Sequence, residues 1–118
     1  MQRTVPIFHI HSYAQAKDFY VDWLGFTIDW EFRLEPGFPV YMQVSREGLV
    51  LHLSEHKGDN PGGTMCHVDV EDLDALMQEW KARRPGFTQE IELMPWDARH
   101  INLRDPFGNT LAINQQIA

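Results

Sequence analysis

The chain has 118 residues, about one domain's worth, and a chain this long buries roughly two-thirds of the surface its unfolded form exposes. Its composition, 43% hydrophobic and 23% charged, excludes disordered, collagen-like and low-complexity classes. The formal net charge of −7 disfavours nucleic acid or an anionic membrane as partner and favours a cationic ligand.

The single cysteine, Cys66, forms no internal disulfide and is too few for a zinc-thiolate site, which points to a reduced, cytoplasmic protein. Met1-Gln2-Arg3-Thr4-Val5-Pro6 lacks the apolar run of a signal peptide. No stretch approaches the roughly 18 apolar residues of a membrane span.

In chain order, Val5 to Ile10 is apolar and β-branched, with Pro6 near its start, and reads as a strand. Ser12 and Gln15 have capping-box spacing. Ala16, Phe19, Tyr20, Trp23 and Leu24 then form one helical stripe, stopped by Gly25. Phe26 to Phe32 is a strand, followed by a loop with Pro36, Gly37 and Pro39. Val40 to Ser45 and Leu49 to Ser54 are strands joined by Arg46-Glu47-Gly48. Glu55 to Gly63 is a polar linker.

The pattern then repeats. Met65 to Val70 is a strand. Leu73, Leu76, Met77 and Trp80 mark a helix opened by Asp72 and closed before Pro85-Gly86. Gly86-Phe87-Thr88 echoes Gly25-Phe26-Thr27. Strands follow at Gln89 to Leu93, His100 to Arg104 and Thr110 to Gln115, the last two joined by Asp105-Pro106-Phe107-Gly108-Asn109. The expected fold is α+β: one domain over 1–118, built of two βαβββ modules at about 4–55 and 64–116, forming a cupped mixed sheet. One helix per module covers one face of each four-stranded sheet, and the two uncovered faces together enclose a cavity.

Asp18-Phe19-Tyr20 with Leu24-Gly25-Phe26, and Asp105-Pro106-Phe107-Gly108-Asn109 before the last strand, resemble the vicinal oxygen chelate superfamily of glyoxalase I, extradiol dioxygenases and bleomycin resistance proteins. Leu51-His52-Leu53-Ser54-Glu55-His56 and Met94-Pro95-Trp96 look most like the bleomycin-resistance branch. The resemblance spans about residues 4 to 116 and implies the glyoxalase/bleomycin-resistance fold. Enzymes of that superfamily hold a metal with four side chains, and the resemblance places those positions at Val5, His52, Met65 and Ala112. Three of these carry no ligand for a hard or borderline divalent ion. The bleomycin-resistance branch implies the other mode: a metal-free homodimer that sequesters a cationic drug in a crevice.

Strand alternation puts His9, His52, His67 and His100 on the uncovered faces. They either hydrogen-bond a ligand or, as a shifted set of His9, His52 and His67, hold a metal. Trp23 and Trp80 belong to the core. Trp30 and Trp96 lie off the helical stripes and either stack on a flat ligand or pack a dimer interface. Phe38 and Tyr41 are rim candidates. Glu31, Glu35, Glu55 and Asp59 either attract a cation or are scattered surface charge. Cys66 shares the parity of Val68 and is expected to be buried and inert.

The expected function is metal-free binding of a cationic, partly aromatic, antibiotic-like compound by a cytoplasmic homodimer, with no cofactor and no catalytic residue. The expected ligand-binding residues are Trp30, Phe38, Tyr41, His52, His67, Trp96, His100 and Asn102. The alternatives are a metal-dependent lyase, isomerase or dioxygenase with an atypical histidine site, and a non-catalytic sensor or assembly module.

Overall fold

Alternation of apolar residues along the short strands buries one face of each sheet beneath a helix, and this sets the architecture. The structure is a computed structural model that describes residues 2–58 and 63–117. Asp59, Asn60, Pro61 and Gly62 of the expected linker lie outside the described residues. The chain divides into two compact units, Met1–Thr64 with Asp105–Asn109, and Met65–Arg104 with Thr110–Ala118.

The first unit runs β1 (Ile7–His9), α1 (Tyr13–Ala16) continued by a π-helix (Lys17–Trp23), β2 (Thr27–Phe32), β3 (Tyr41–Arg46) and β4 (Leu49–Ser54). Its four strands lie in the order β1-β4-β3-β2, with β1 parallel to β4 and the other pairs antiparallel. Ser12 caps α1 by accepting from the Gln15 amide, as the capping spacing requires. The helix departs from the expected regular form after one turn. Its wider π turns close with a bond from the Leu24 amide to the Phe19 carbonyl, and still bury Ala16, Phe19, Tyr20, Trp23 and Leu24. Phe19 meets Tyr20 and Trp23 edge to face. Phe8, Met42, Val44, Leu51 and Leu53 are the buried parity of the sheet.

The second unit runs β5 (Met65–Asp69), α2 (Leu73–Arg83), β6 (Glu92–Met94), β7 (Ala98–Arg104) and β8 (Thr110–Gln116). Its strand order is β5-β8-β7-β6, again with one parallel pair. Asp72 caps α2 through the Ala75 amide, and Leu73, Met77 and Trp80 are buried with Val68, Ile101, Leu103, Leu111 and Ile113. The fold class is therefore α+β, two four-stranded mixed sheets with one helical segment each. Two expectations need correction. β6 begins at Glu92 rather than Gln89, and β7 begins at Ala98. Cys66 is only half-buried, because the β5 edge it occupies pairs on one side alone; burial nonetheless pushes its thiol pKa up.

The Asp105–Asn109 turn does more than reverse the chain. The Asp105 carboxylate, 5% exposed, accepts from the Tyr20 hydroxyl at 2.6 Å, the Phe107 and Asn109 amides at 2.8 Å each and the Asn109 side chain at 2.9 Å. Asn109 also donates to the His9 carbonyl at 2.9 Å. A buried carboxylate requires that many donors. Burial and the adjacent Asp105 charge push the Tyr20 pKa well above its ordinary value, so the hydroxyl remains a donor. Tyr20→Phe is expected to lower unfolding stability by about 2 kcal/mol, the worth of a hydrogen bond to a charged group. Urea denaturation measures this directly, and an unshifted midpoint contradicts the assignment.

Candidate functional site

The face of the first sheet away from the helix carries Trp30, Phe32, Tyr41, Gln43 and His52. Trp30 belongs there because the β2–β3 register slips between Ile28 and Trp30, so that Trp30 pairs with Gln43; a bulge of this kind re-aims side chains. The Trp30 and Tyr41 rings are nearly parallel, at 12° with centroids 6.1 Å apart. The His52 ring stands edge-on to both, at 5.3 Å and 5.2 Å. Trp30 is 42% exposed and Phe32 55%, so aromatic surface is presented to solvent.

Hydrogen bonding fixes the imidazole within this group. The Gln43 side-chain nitrogen donates to Asp29 at 3.0 Å, which turns Gln43 Oε1 toward His52 Nε2, also at 3.0 Å. Nε2 must therefore donate, leaving Nδ1 to accept from the Tyr41 hydroxyl at 2.8 Å. Desolvation by burial, and then the Arg3 charge, lower the His52 pKa. Neutral His52 is the form this network holds.

A second network positions the adjoining loop. The Arg33 guanidinium donates to the Phe38 carbonyl at 2.5 Å, lies 3.6 Å from Glu55 and sits 5.5 Å over the Tyr13 ring. Glu55 accepts the Val40 amide at 2.9 Å, and Tyr13 donates to Glu31 at 2.7 Å. Glu31 and Glu55 thus have partners within the unit; the sequence offered them either as charge that attracts a cation or as scattered surface charge. Asp59, offered with them, lies outside the described residues. Phe38 is 44% exposed at the end of this loop.

On the second sheet, His67, His100 and Asn102 share the face away from α2, joined by Asp69 and Asn114. His67 Nε2 lies 2.8 Å from Asp69 and its Nδ1 lies 3.0 Å from the Asn114 side-chain nitrogen. Asn114 Oδ1 lies 2.7 Å from His100 Nδ1, and His100 Nε2 lies 3.0 Å from Asn102 Oδ1. Trp96 stands in the β6–β7 turn, 59% exposed. Within each unit the structure gathers Trp30, Tyr41 and His52, and His67, His100 and Asn102. Phe38 and Trp96 lie outside these hydrogen-bonded groups. Gln43, Asp29 and Asn114 escaped the sequence reading, because their roles depend on cross-strand register and on the β2 bulge. Alternation along β3 and β8, counted from Tyr41 and Ala112, is the signal that reaches Gln43 and Asn114.

The metal positions implied by family resemblance do not fit an ion. Val5 and Ala112 have no donor atom, Met65 offers only a soft thioether, and both His52 nitrogens are occupied by Tyr41 and Gln43. Among the described residues no group of three or more His, Cys, Asp or Glu is placed to hold a metal. No helix is long and apolar enough to cross a membrane among those residues.

The sign of the His52 shift gives a prediction. A histidine pKa lowered by folding leaves the native state short of a proton relative to the unfolded chain below about pH 6.5, so the stability this group contributes is present above that value and is lost as pH falls. Histidine NMR titration is expected to place His52 below the ordinary value, and Arg3→Ala is expected to raise it. A midpoint at or above the ordinary value contradicts the network.

Comparison with curated proteins finds no match. Among solved structures the chain is similar to a bleomycin-binding protein complexed with bleomycin, at 25% identity and a TM-score of 0.75, with 98% of this chain and 99% of that one covered. TnmS3, an antibiotic binding protein from Streptomyces sp. CB03234, is 27% identical at a TM-score of 0.72, covering 98% and 97%. A bleomycin resistance determinant encoded on the transposon Tn5 shares the fold, at 24% identity and a TM-score of 0.77 over all of both chains. A family model described as glyoxalase superfamily protein matches residues 1–118, and with the βαβββ repeat already on view the chain belongs to the glyoxalase superfamily.

Proposed function

We propose that this chain is a metal-free, small-molecule binding protein that sequesters a partly aromatic, cationic, antibiotic-like compound, acting as a cytoplasmic homodimer. The observation that carries the reading is the exposed Trp30–Tyr41–His52 face, with its rings held in place by the Asp29–Gln43–His52–Tyr41 hydrogen bonds. Flat ligand rings gain contact area and favourable quadrupole alignment on such a platform, and a cation gains from the indole face and from the net charge of −7. The unsuited metal positions support binding over metal-dependent chemistry. The similar structures of a bleomycin-binding protein and an antibiotic binding protein support the compound class.

Titration with bleomycin, followed by tryptophan fluorescence, is expected to give a saturable change that Trp30→Ala weakens about tenfold, equivalent to roughly 1.4 kcal/mol. A flat trace with bleomycin and with other antibiotic natural products overturns the reading. Lowering the pH from about 7.5 to about 5.5 is expected to weaken binding of a cation to the extent that His52 on the binding face takes up a proton and repels it. Elemental analysis of protein purified without chelator is expected to show no stoichiometric transition metal, and one equivalent per subunit contradicts the metal-free reading.

A further inference from the structure

The Tyr41 hydroxyl belongs to the aromatic face of the first sheet, and its neighbours within that unit fix what it presents to a ligand. The order of bonds begins at Asp29, whose carboxylate only accepts and so draws the Gln43 side-chain nitrogen, 3.0 Å away. At the other end of the same amide the Arg3 guanidinium, which only donates, lies 3.5 Å from Gln43 Oε1. An acceptor-only neighbour at one end and a donor-only neighbour at the other both oppose turning the amide over. Gln43 Oε1 therefore accepts from His52 Nε2 at 3.0 Å.

Desolvation by burial, and then the Arg3 charge, lower the His52 pKa, so the neutral ring holds one proton. With that proton on Nε2, Nδ1 has only a lone pair, and the Tyr41 hydroxyl donates to it across 2.8 Å. A phenol has a single hydrogen. Once it is committed to His52, the Tyr41 oxygen has only lone pairs to offer a ligand. Hydrogen bonds aligned this way polarise one another, here from Tyr41 through His52 and Gln43 to the Asp29 carboxylate, and make that oxygen a better acceptor. The Trp30 ring lies 6.1 Å from the Tyr41 ring and 5.3 Å from that of His52, so a flat ring laid against the indole has its edge within reach of the hydroxyl.

We propose that Tyr41 is a specificity-determining residue whose oxygen accepts from an N–H on the edge of a stacked, flat ligand ring, and that Gln43 is the positioning residue that imposes this polarity through His52. The inference rests on the binding reading above and deepens it, by naming the group that the stacked ring carries. A ring that turns a carbonyl or ether oxygen toward Tyr41 sets lone pair against lone pair. Relief requires the hydroxyl to abandon His52, which leaves a part-buried Nδ1 unpaired at a cost. Ring N–H, amine and amidinium groups all meet the requirement, because the contact reads the donor and not the charge.

The test uses the intact chain, labelled with nitrogen-15, and a pair of neutral rings of nearly equal shape: indole, which carries an N–H, and benzofuran, which has oxygen in its place. Imidazole spectra of the free protein at about pH 8 are expected to show His52 protonated on Nε2. Titrations followed by the His52 and Trp30 signals are expected to give indole about fivefold tighter binding than benzofuran, the worth of one hydrogen bond. Tyr41→Phe is expected to abolish that preference by weakening indole alone, whereas a merely structural role for Tyr41 weakens both rings alike. Gln43→Leu is expected to move part of the His52 proton to Nδ1 and shrink the preference, which Gln43→Glu, still an acceptor, retains. His52 protonated on Nδ1 in the free protein, equal binding of the two rings or none of either, or a preference that survives Tyr41→Phe overturns the proposal. If bleomycin perturbs Trp30 while indole and benzofuran behave alike, this inference fails and the binding reading stands. If indole is preferred through Tyr41 and no antibiotic binds, the binding reading fails while the donor preference remains.

Discussion

Each four-stranded sheet in this chain has a single helical segment to cover it, and every other feature follows from that shortage. A sheet whose apolar residues alternate can be buried on one face only, so the second face is released from packing. The covered faces repeat the same apolar parity in both units. The released faces have diverged, one toward aromatic rings and the other toward hydrogen-bonding side chains, as expected when function is grafted onto a fold and not dictated by it.

The strand registers show how far that divergence goes. In the first unit His52 lies between Ile7 and Gln43; in the second, the corresponding pairing places Ala112 between His67 and Asn102. Tyr41 opposite Ser54 has its counterpart in His100 opposite Asn114. One scaffold position thus holds an imidazole in the first sheet and a methyl group in the second, and the polar side chains move to the neighbouring strands. Neither arrangement leaves a set of lone pairs converging on one point, which is the geometric requirement for gripping a metal.

The fold was legible because its signals are local. Alternation marked the strands, Ser12 and Asp72 the helix starts, and Gly25, with φ of 85°, the stop of the first helix. Parity put His52, His67, His100 and Asn102 on the uncovered faces, whereas Trp30 stood out only for lying off the helical stripes and Tyr41 for flanking the Pro39 loop. Their chemistry was not legible. The π-helix has an apolar stripe indistinguishable from that of an α-helix, and the bulge that carries Trp30 beside Gln43 adds one residue where the sequence shows unbroken strand. The hydrogen bonds that Asn114 makes to His67 and His100 depend on three strands being in register, which no single segment reveals. Nor does acidity reveal local pairing: Glu31 accepts from Tyr13, and Glu55 accepts from Val40 and lies beside Arg33.

The account rests on the released face of the first sheet being a stacking platform for a small molecule. A crystal structure of this chain grown with bleomycin tests that most directly. The account predicts flat rings of the drug lying against Trp30 and Tyr41, with His52 still bonded to both Tyr41 and Gln43. Drug bound elsewhere with that face bare, or His52 turned away to ligate an ion, would contradict it.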